Sequence, residues 1–331
     1  SIELNLVRAT QTNSAIPNER LTSEQLKIIN HSGSRLLVLG QAGSGKTTTL
    51  IAAIAHRISQ GVNPNAILAI TYGRESASKL RDQIASANPT LHTVAEPIAR
   101  TFHSIAFMIL NDPINIESAG EKRFVLLSGA EQDAQIRQLL ELDAANPGST
   151  LWPAELIPAL TTRGFAKEVR EFISRATERG SSPEELASFA KKYDQKYWPA
   201  ICEFWQKYKD AMALRDGTTS HSFNRVDPSE IIVLAAEKLE ANPKLLEKYR
   251  KIFEVIYVDE FQESDRAQRK LLQLLSSQEL VIFADSESAV GRFRGADPDN
   301  LINDLDVTVL NFTNFLISSF FHKYEFAILC K

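Results

Sequence analysis

The run GQAGSGKT, Gly40 to Thr47, has the G-x-x-x-x-G-K-[ST] spacing of a loop that wraps phosphate. Glycines at 40, 43 and 45 (Gly40, Gly43, Gly45) let successive backbone N–H groups turn toward phosphate oxygens, and the start of the following helix adds a favourable field. Lys46 is placed to reach the β- and γ-phosphates and the Thr47 hydroxyl to ligate Mg²⁺, with Ser44 and Thr48 completing the ATP-contacting turn. VDEFQES, Val258 to Ser264, supplies acids: Asp259 to hold Mg²⁺ through water, and Glu260 to orient and deprotonate the water that attacks the γ-phosphate. An acidic pair after a strand is by itself an ordinary solvated turn. Beside a phosphate loop it becomes the second half of a nucleotide-hydrolysing site, because open α/β sheets bind ligands at the carboxyl ends of their strands.

These residues need strands to carry them. Four short apolar runs, Leu36 to Leu39, Ala66 to Ile70, Val255 to Val258 and Leu280 to Ala284, show no alternation and suit parallel strands covered on both faces. Between the first two, Leu50, Ile51, Ile54, Ala55 and Ile58 repeat at helical spacing, which makes strand, loop, helix and strand a βαβ unit. From about Asn111 to Arg225 the buried strands stop. Helix-like patterns with charge replace them, such as Phe165 to Glu178 and Glu184 to Tyr208, punctuated at Pro147-Gly148, Gly180 to Pro183 and Gly217. The expected fold class is α/β, a P-loop parallel sheet flanked by helices, with an inserted all-helical subdomain.

Further motifs narrow the function. LTSEQLKIIN (Leu21 to Asn30) precedes the phosphate loop, TYGRESASKLRDQI (Thr71 to Ile84) follows the second strand, then come TFHSIA (Thr101 to Ala106) and FADSESAVGRFRGADP (Phe283 to Pro298). In this order and spacing the chain resembles the first half of superfamily 1A DNA helicases, the UvrD/Rep family, over about Leu21 to Pro298. The resemblance implies a RecA-like motor domain over 1–112 and 226–305, an inserted helical domain over 113–225, and an off-family tail over 306–331. It implies ATP and Mg²⁺ as cofactors and 3′ to 5′ movement on single-stranded DNA in repair or recombination. Single-stranded DNA, duplex junctions and subunits of an end-processing complex are the implied partners. Gln25 takes the adenine-reading position and Gln262 the position that senses nucleotide. Tyr72, Thr101, Phe102 and His103 fall in strand-contacting segments, Phe293 matches a base-stacking position, and Arg294 the residue linking the ATP and DNA sites. VDPSEII, Val226 to Ile232, resembles the return into the motor domain, with Pro228 starting a helix.

Some family positions differ. Ser288 stands where a glutamine contacts the γ-phosphate, Ala284 where a glycine is usual, Gly291 for a stacking tyrosine, Glu263 for an aspartate, and Gly73-Arg74 for a Thr-Asn pair. The stretch after Pro298 shows no match to the second motor domain's arginines, and Ser1 reads as a cut start. Its apolar cluster, Phe315 to Phe321, is too short to span a membrane and suits a sheet face or a further domain. By this reading the chain alone hydrolyses ATP weakly. In the helical region Tyr193, Tyr197, Trp198, Trp205 and Tyr208 interleave with Lys191, Lys192, Lys196, Lys207 and Lys209; this fits either a DNA-binding face or, more ordinarily, an amphipathic helix with an aromatic core side.

Composition excludes other classes. In 331 residues, 37 basic and 41 acidic side chains leave a net charge of −4 with 44% hydrophobic positions, unlike a disordered or fibrous chain. Cys202 and Cys330 have no metal or redox spacing, and no apolar run crosses a bilayer, so a cytoplasmic setting without membrane is expected. A non-motor ATP-binding scaffold is the competing reading. A small-molecule kinase leaves TFHS and FRGA unexplained.

Overall fold

Apolar runs with no alternating pattern become strands buried on both faces. In the computed structural model, which describes residues 21–88, 98–119, 122–179, 181–218, 223–276, 279–285 and 308–312, these are β1 (Arg35–Gly40), β2 (Ile67–Thr71), β6 (Val255–Val258) and β7 (Glu279–Asp285). With β3 (Ala99–Thr101) and β8 (Thr308–Phe312) they form a six-stranded sheet ordered β3-β2-β6-β7-β1-β8. The pairs β1 with β7, β1 with β8, β2 with β6 and β6 with β7 are parallel. Gly40 registers with Asp285 and Ile70 with Val258, so the loops leaving β1, β2, β6 and β7 emerge at one edge. That edge carries the phosphate loop and the acidic segment.

The chain divides into two compact units, residues 1–100, 252–263 and 277–331, and residues 101–251 and 264–276. In the first, α1 (Ser23–Ile29), α2 (Lys46–Ser59) and α3 (Arg74–Ala87) join the sheet. Leu50, Ala53 and Ile54 on α2 are fully buried and share one core with Val38, Ala69, Tyr257 and Phe283. Far from the phosphate loop, Arg57 in the last turn of α2 pairs with Glu279 at the start of β7, while Gly33 N–H donates to the other Glu279 oxygen at 3.1 Å. This buried ion pair ties the loop's helix to the sheet. The tail is not wholly apart from the fold, since residues 308–312 supply the strand beside β1.

The second unit contains α4 (Phe102–Leu110), α5 (Pro113–Ala119), α6 (Gly129–Ala145), α7 (Arg163–Glu178), α8 (Pro183–Lys192), α9 (Trp198–Thr218), α10 (Ile231–Ala241), α11 (Pro243–Ile252) and α12 (Arg266–Leu275). Trp152 packs edge-on to Phe165 at 5.4 Å between ring centres and shares a core with Ile136, Leu140, Phe204 and Trp205. Three sequence expectations are corrected here. The inserted region is not all-helical: β4 (Arg123–Leu126) and β5 (Phe223–Val226) pair in parallel, and being short and half-exposed they carry no buried-strand signature. The pattern from Glu184 to Tyr208 is two helices, broken at 193–197, where Asp194 has a φ of 50°. Pro228 lies in the turn before α10 and does not begin it.

The interleaved aromatics divide accordingly. Trp205 and Tyr208 are buried, whereas Tyr193 and Tyr197 are exposed, with Lys192 and Lys196 over their rings. Two buried carboxylates hold this unit's corners. Asp112 accepts Lys248 Nζ at 2.7 Å, Tyr249 O–H at 2.9 Å and Ile114 N–H at 3.0 Å. Asp227 accepts from Gln132, from Tyr208 O–H at 3.2 Å and from Ser229 N–H at 2.9 Å. Among the described residues no helix is long and apolar enough to cross a membrane.

Candidate functional site

Glycine's tolerance of positive φ shapes the loop between β1 and α2. Gly43 has φ 76° and Gly45 φ 90°, a conformation that costs an L side chain about 1–2 kcal/mol. The turn delivers Lys46 as the first residue of α2. Its ammonium folds back onto the loop, donating to Gly40 O at 2.7 Å and Gln41 O at 2.8 Å. Partial burial lowers its pKa, and the negative charges of Asp285, Asp259 and Glu260 oppose that effect.

Thr47 Oγ1 donates to Asp259 Oδ2 at 2.8 Å, which joins the first turn of α2 to the end of β6 across 212 residues of sequence. Asp259 is buried; its other oxygen accepts the Glu260 N–H at 3.1 Å, and its own N–H donates to Ile70 O. Burial raises its pKa, against the bonds from Thr47 and Glu260 N–H and the charge of Lys46. Glu260 is exposed and sits at φ 54°, a strained backbone for a side chain of its kind. Its pKa is raised as well, first by desolvation and then by Asp259 and Glu263.

Two features test whether these residues suit a magnesium nucleotide. Ser44 Oγ is buried in the loop with no hydrogen-bond partner among the described residues, which a phosphate oxygen would satisfy. Thr47 and Asp259 present adjacent oxygens, the donor type that Mg²⁺ takes. The residues fit the group: Thr47 and Asp259 to hold the ion, Lys46 and the loop amides to take the phosphates.

Gln25 is brought to the same place from α1. It closes the helix's capping box, its Oε1 accepting Thr22 N–H at 2.9 Å, and it lies against the loop, since a Cβ on Gly45 would meet its Nε2 at 3.2 Å. Gln262, in the turn Phe261–Glu263, accepts the Asp285 N–H at 2.9 Å. Thr48 is exposed and borders a shallow groove of about 690 Å³ between α2 and α3, lined also by Ile51, Glu75, Lys79 and Asp82.

The strand-contacting candidates are distributed differently. Tyr72 follows β2 and is half-buried. In the second unit Thr101 caps α4, accepting Ser104 N–H at 3.2 Å, and His103 is exposed. Phe102 is 1% exposed, so its ring serves the core. Ser288, Gly291, Phe293 and Arg294 lie outside the described residues, as does the apolar cluster 315–321.

Two site residues escape sequence reasoning. Thr49, fully buried, accepts Gln25 Nε2 at 3.0 Å and donates to Gly45 O at 2.9 Å. Asp285 ends β7 beside Gly40, and its charge acts on Lys46. An acid directly after a buried strand was the available signal for Asp285. Thr49 gave none, because it occupies a core-facing position of α2.

The sequence matches the UvrD/REP helicase N-terminal domain over residues 21–306. It is 28% identical over 288 residues to the ATP-dependent DNA helicase PcrA of Bacillus subtilis, covering 86% of this chain and 35% of that protein. It is 26% identical over 295 residues to PcrA of Leuconostoc citreum, with 86% and 35% covered, and 25% identical over 286 residues to DNA helicase II of Escherichia coli, with 86% and 36% covered. The chain thus spans about a third of the length of these relatives. A phosphate loop and an acidic strand end joined through Thr47 and Asp259, in a chain whose residues 21–306 match that domain, establish that this chain belongs to the UvrD/Rep helicase family.

Proposed function

We propose that the chain is the ATP-binding first motor domain, with its inserted helical domain, of an ATP-dependent DNA helicase or translocase that moves 3′ to 5′ on single-stranded DNA in repair or recombination. The motor domain would comprise 1–112 and 226–305 and the insertion 113–225. The observation that carries this reading is the 2.8 Å bond from Thr47 to Asp259 beside Lys46, which supports a cation position next to a phosphate loop.

In this mechanism Lys46 leaves the carbonyls of Gly40 and Gln41 for phosphate oxygens, while the amides of the loop and Ser44 Oγ take the remainder. Thr47 and Asp259 hold Mg²⁺, which when bound neutralises phosphate charge. Glu260 is the general base: the burial and then the negative neighbours that raise its pKa make it a better proton acceptor once ionised. Gln25 contacts the base. Tyr72 and, in the other unit, Thr101 and His103 contact the DNA strand. Phe293 would stack on a base, and Arg294 would join the two ligand sites.

The test is ATP binding by calorimetry with and without Mg²⁺, together with oligothymidylate binding by fluorescence anisotropy. ATP binding should require Mg²⁺ and fail in Asp259→Ala, and DNA binding should weaken steeply with salt. ATP binding indifferent to Mg²⁺ and to Asp259→Ala overturns the reading. A second reading, an ATP-binding scaffold subunit, draws on Ser288 in the γ-phosphate position; it predicts nucleotide binding with no DNA-stimulated hydrolysis.

A further inference from the structure

We propose that Thr49 is a specificity-determining positioning residue: its hydroxyl fixes the direction of the Gln25 side-chain amide, and so makes the base subsite choose adenine over guanine. The inference rests on the reading of Gln25 as the base contact. It adds a residue on a different helix that decides what Gln25 can recognise.

A hydroxyl has a single proton. Thr49 Oγ1 gives its proton to Gly45 O at 2.9 Å, and toward Gln25 it can only accept. The amide must therefore turn its nitrogen to Thr49, at 3.0 Å. At the other end Thr22 N–H donates at 2.9 Å and requires the amide oxygen. One forced donor and one forced acceptor leave the amide a single orientation, and the burial of both Gln25 and Thr49 excludes water that would blur the choice.

After these two bonds, Gln25 retains one N–H on Nε2 and one lone pair on Oε1. That pair complements adenine, whose N7 accepts and whose 6-amino group donates. Guanine offers two acceptors on that edge, N7 and O6, and one of them would face the Oε1 lone pair. Adenine preference thus follows from amide polarity, and amide polarity from the hydroxyl at 49. The loop does not depend on that hydroxyl, because Gly45 O also accepts the Thr49 N–H at 2.9 Å.

The experiment compares ATP, GTP and inorganic tripolyphosphate binding by calorimetry in the wild type, Thr49→Val, Thr49→Ser and Gln25→Ala. Thr49→Val keeps the shape and removes the acceptor. It should weaken ATP by about tenfold, the scale of one buried hydrogen bond, and reduce the ATP-to-GTP preference by a similar factor. Tripolyphosphate affinity should stay within about twofold, since it has no base. Thr49→Ser should restore the preference. The proposal is overturned if Thr49→Val keeps the wild-type preference, or if it weakens tripolyphosphate as much as ATP, which would mean damage to the loop. If Gln25→Ala also leaves the preference unchanged, the reading of Gln25 as the base contact has failed. If only Gln25→Ala lowers it, the base contact stands and the role of Thr49 falls alone.

Discussion

Replacing Lys46 by methionine keeps an unbranched side chain, one heavy atom shorter, and removes its charge, and the structure sets the size of the expected effect. Within the chain Nζ already has two acceptors, Gly40 O at 2.7 Å and Gln41 O at 2.8 Å. Binding a nucleotide exchanges these for phosphate oxygens, so only the difference contributes to affinity. Two bonds between charged groups are worth about 3–6 kcal/mol and two to neutral carbonyls about 2–3, leaving about 1–3 kcal/mol, or about 5- to 150-fold. Ligand-induced stabilisation in urea unfolding reads this directly. With ATP at about 100 times the wild-type Kd, the wild type gains about 2.7 kcal/mol, and a variant 5- to 150-fold weaker should gain about 1.8 to 0.3 kcal/mol. Without ligand the variant should change by only about 1 kcal/mol, because two modest bonds are lost while a partly buried charge is removed. Equal stabilisation of the variant and the wild type by ATP would refute the placement of phosphates at this lysine.

Other expectations concern pH and backbone. Asp259 is raised above its ordinary value of 3.8, so its contribution favours the folded chain below that pH and is lost as pH climbs through the folded-state value. The stability of Asp259→Asn relative to wild type should therefore increase as pH rises from about 4 in paired urea titrations; parallel curves would contradict it. Asp112 has the opposite sign: burial pushes it up, but the bonds from Lys248, Ile114 N–H and Tyr249 outweigh burial and hold it below its ordinary value. Asp112→Asn should cost about 1–3 kcal/mol at neutral pH, and the deficit should shrink in acid as the wild-type carboxylate protonates. Gly45→Ala places a Cβ at φ 90° and 3.2 Å from Gln25 Nε2, and should lower thermal stability by about 1–3 kcal/mol; an unchanged melting temperature would mean the loop rearranges freely.

How much of this was legible beforehand depends on where the partners of each residue lie. Gly43 and Gly45 announce their own backbone, since positive φ is what glycine is for, and the apolar runs around 36–39 and 255–258 announce strands that must be covered on both faces. The phosphate loop and the sheet could therefore be read from local pattern. Asp112 and Asp227 could not, because Lys248 is 136 residues from one and Gln132 is 95 from the other, and no local spacing encodes such pairs. The break between α8 and α9 was hidden in a different way: Asp194 takes a left-handed conformation without glycine to mark it. Strands β4 and β5 pair across about a hundred residues and bury little, so neither period nor hydrophobicity exposes them.

The treatment of buried acids separates support from chemistry, though not by pKa direction alone. Glu230, in the other unit, is raised by burial and by Asp227, and its charged neighbours among the described residues are Asp227, Lys209 and Glu237. What distinguishes the end of β6 is that several unmet demands converge on one ligand. Asp259 and Glu260 are both raised, Lys46 is lowered and turned onto its own loop, Ser44 Oγ has no partner among the described residues, and Glu260 holds a strained φ. A cation between Thr47 and Asp259 would favour the ionised carboxylate, and phosphate beside Lys46 would favour the ammonium, so each half of a magnesium nucleotide relieves a cost the free chain carries. Asp112, by contrast, has all its demands met within the fold and is lowered. Because Mg²⁺ needs Asp259 ionised, its affinity in the presence of ATP should rise with pH through the same range in which the free chain loses stability, and binding should release protons. Calorimetry in two buffers of different ionisation enthalpy measures that release; a proton count that is the same in wild type and in Asp259→Asn across the acidic range would remove Asp259 from the ion's coordination.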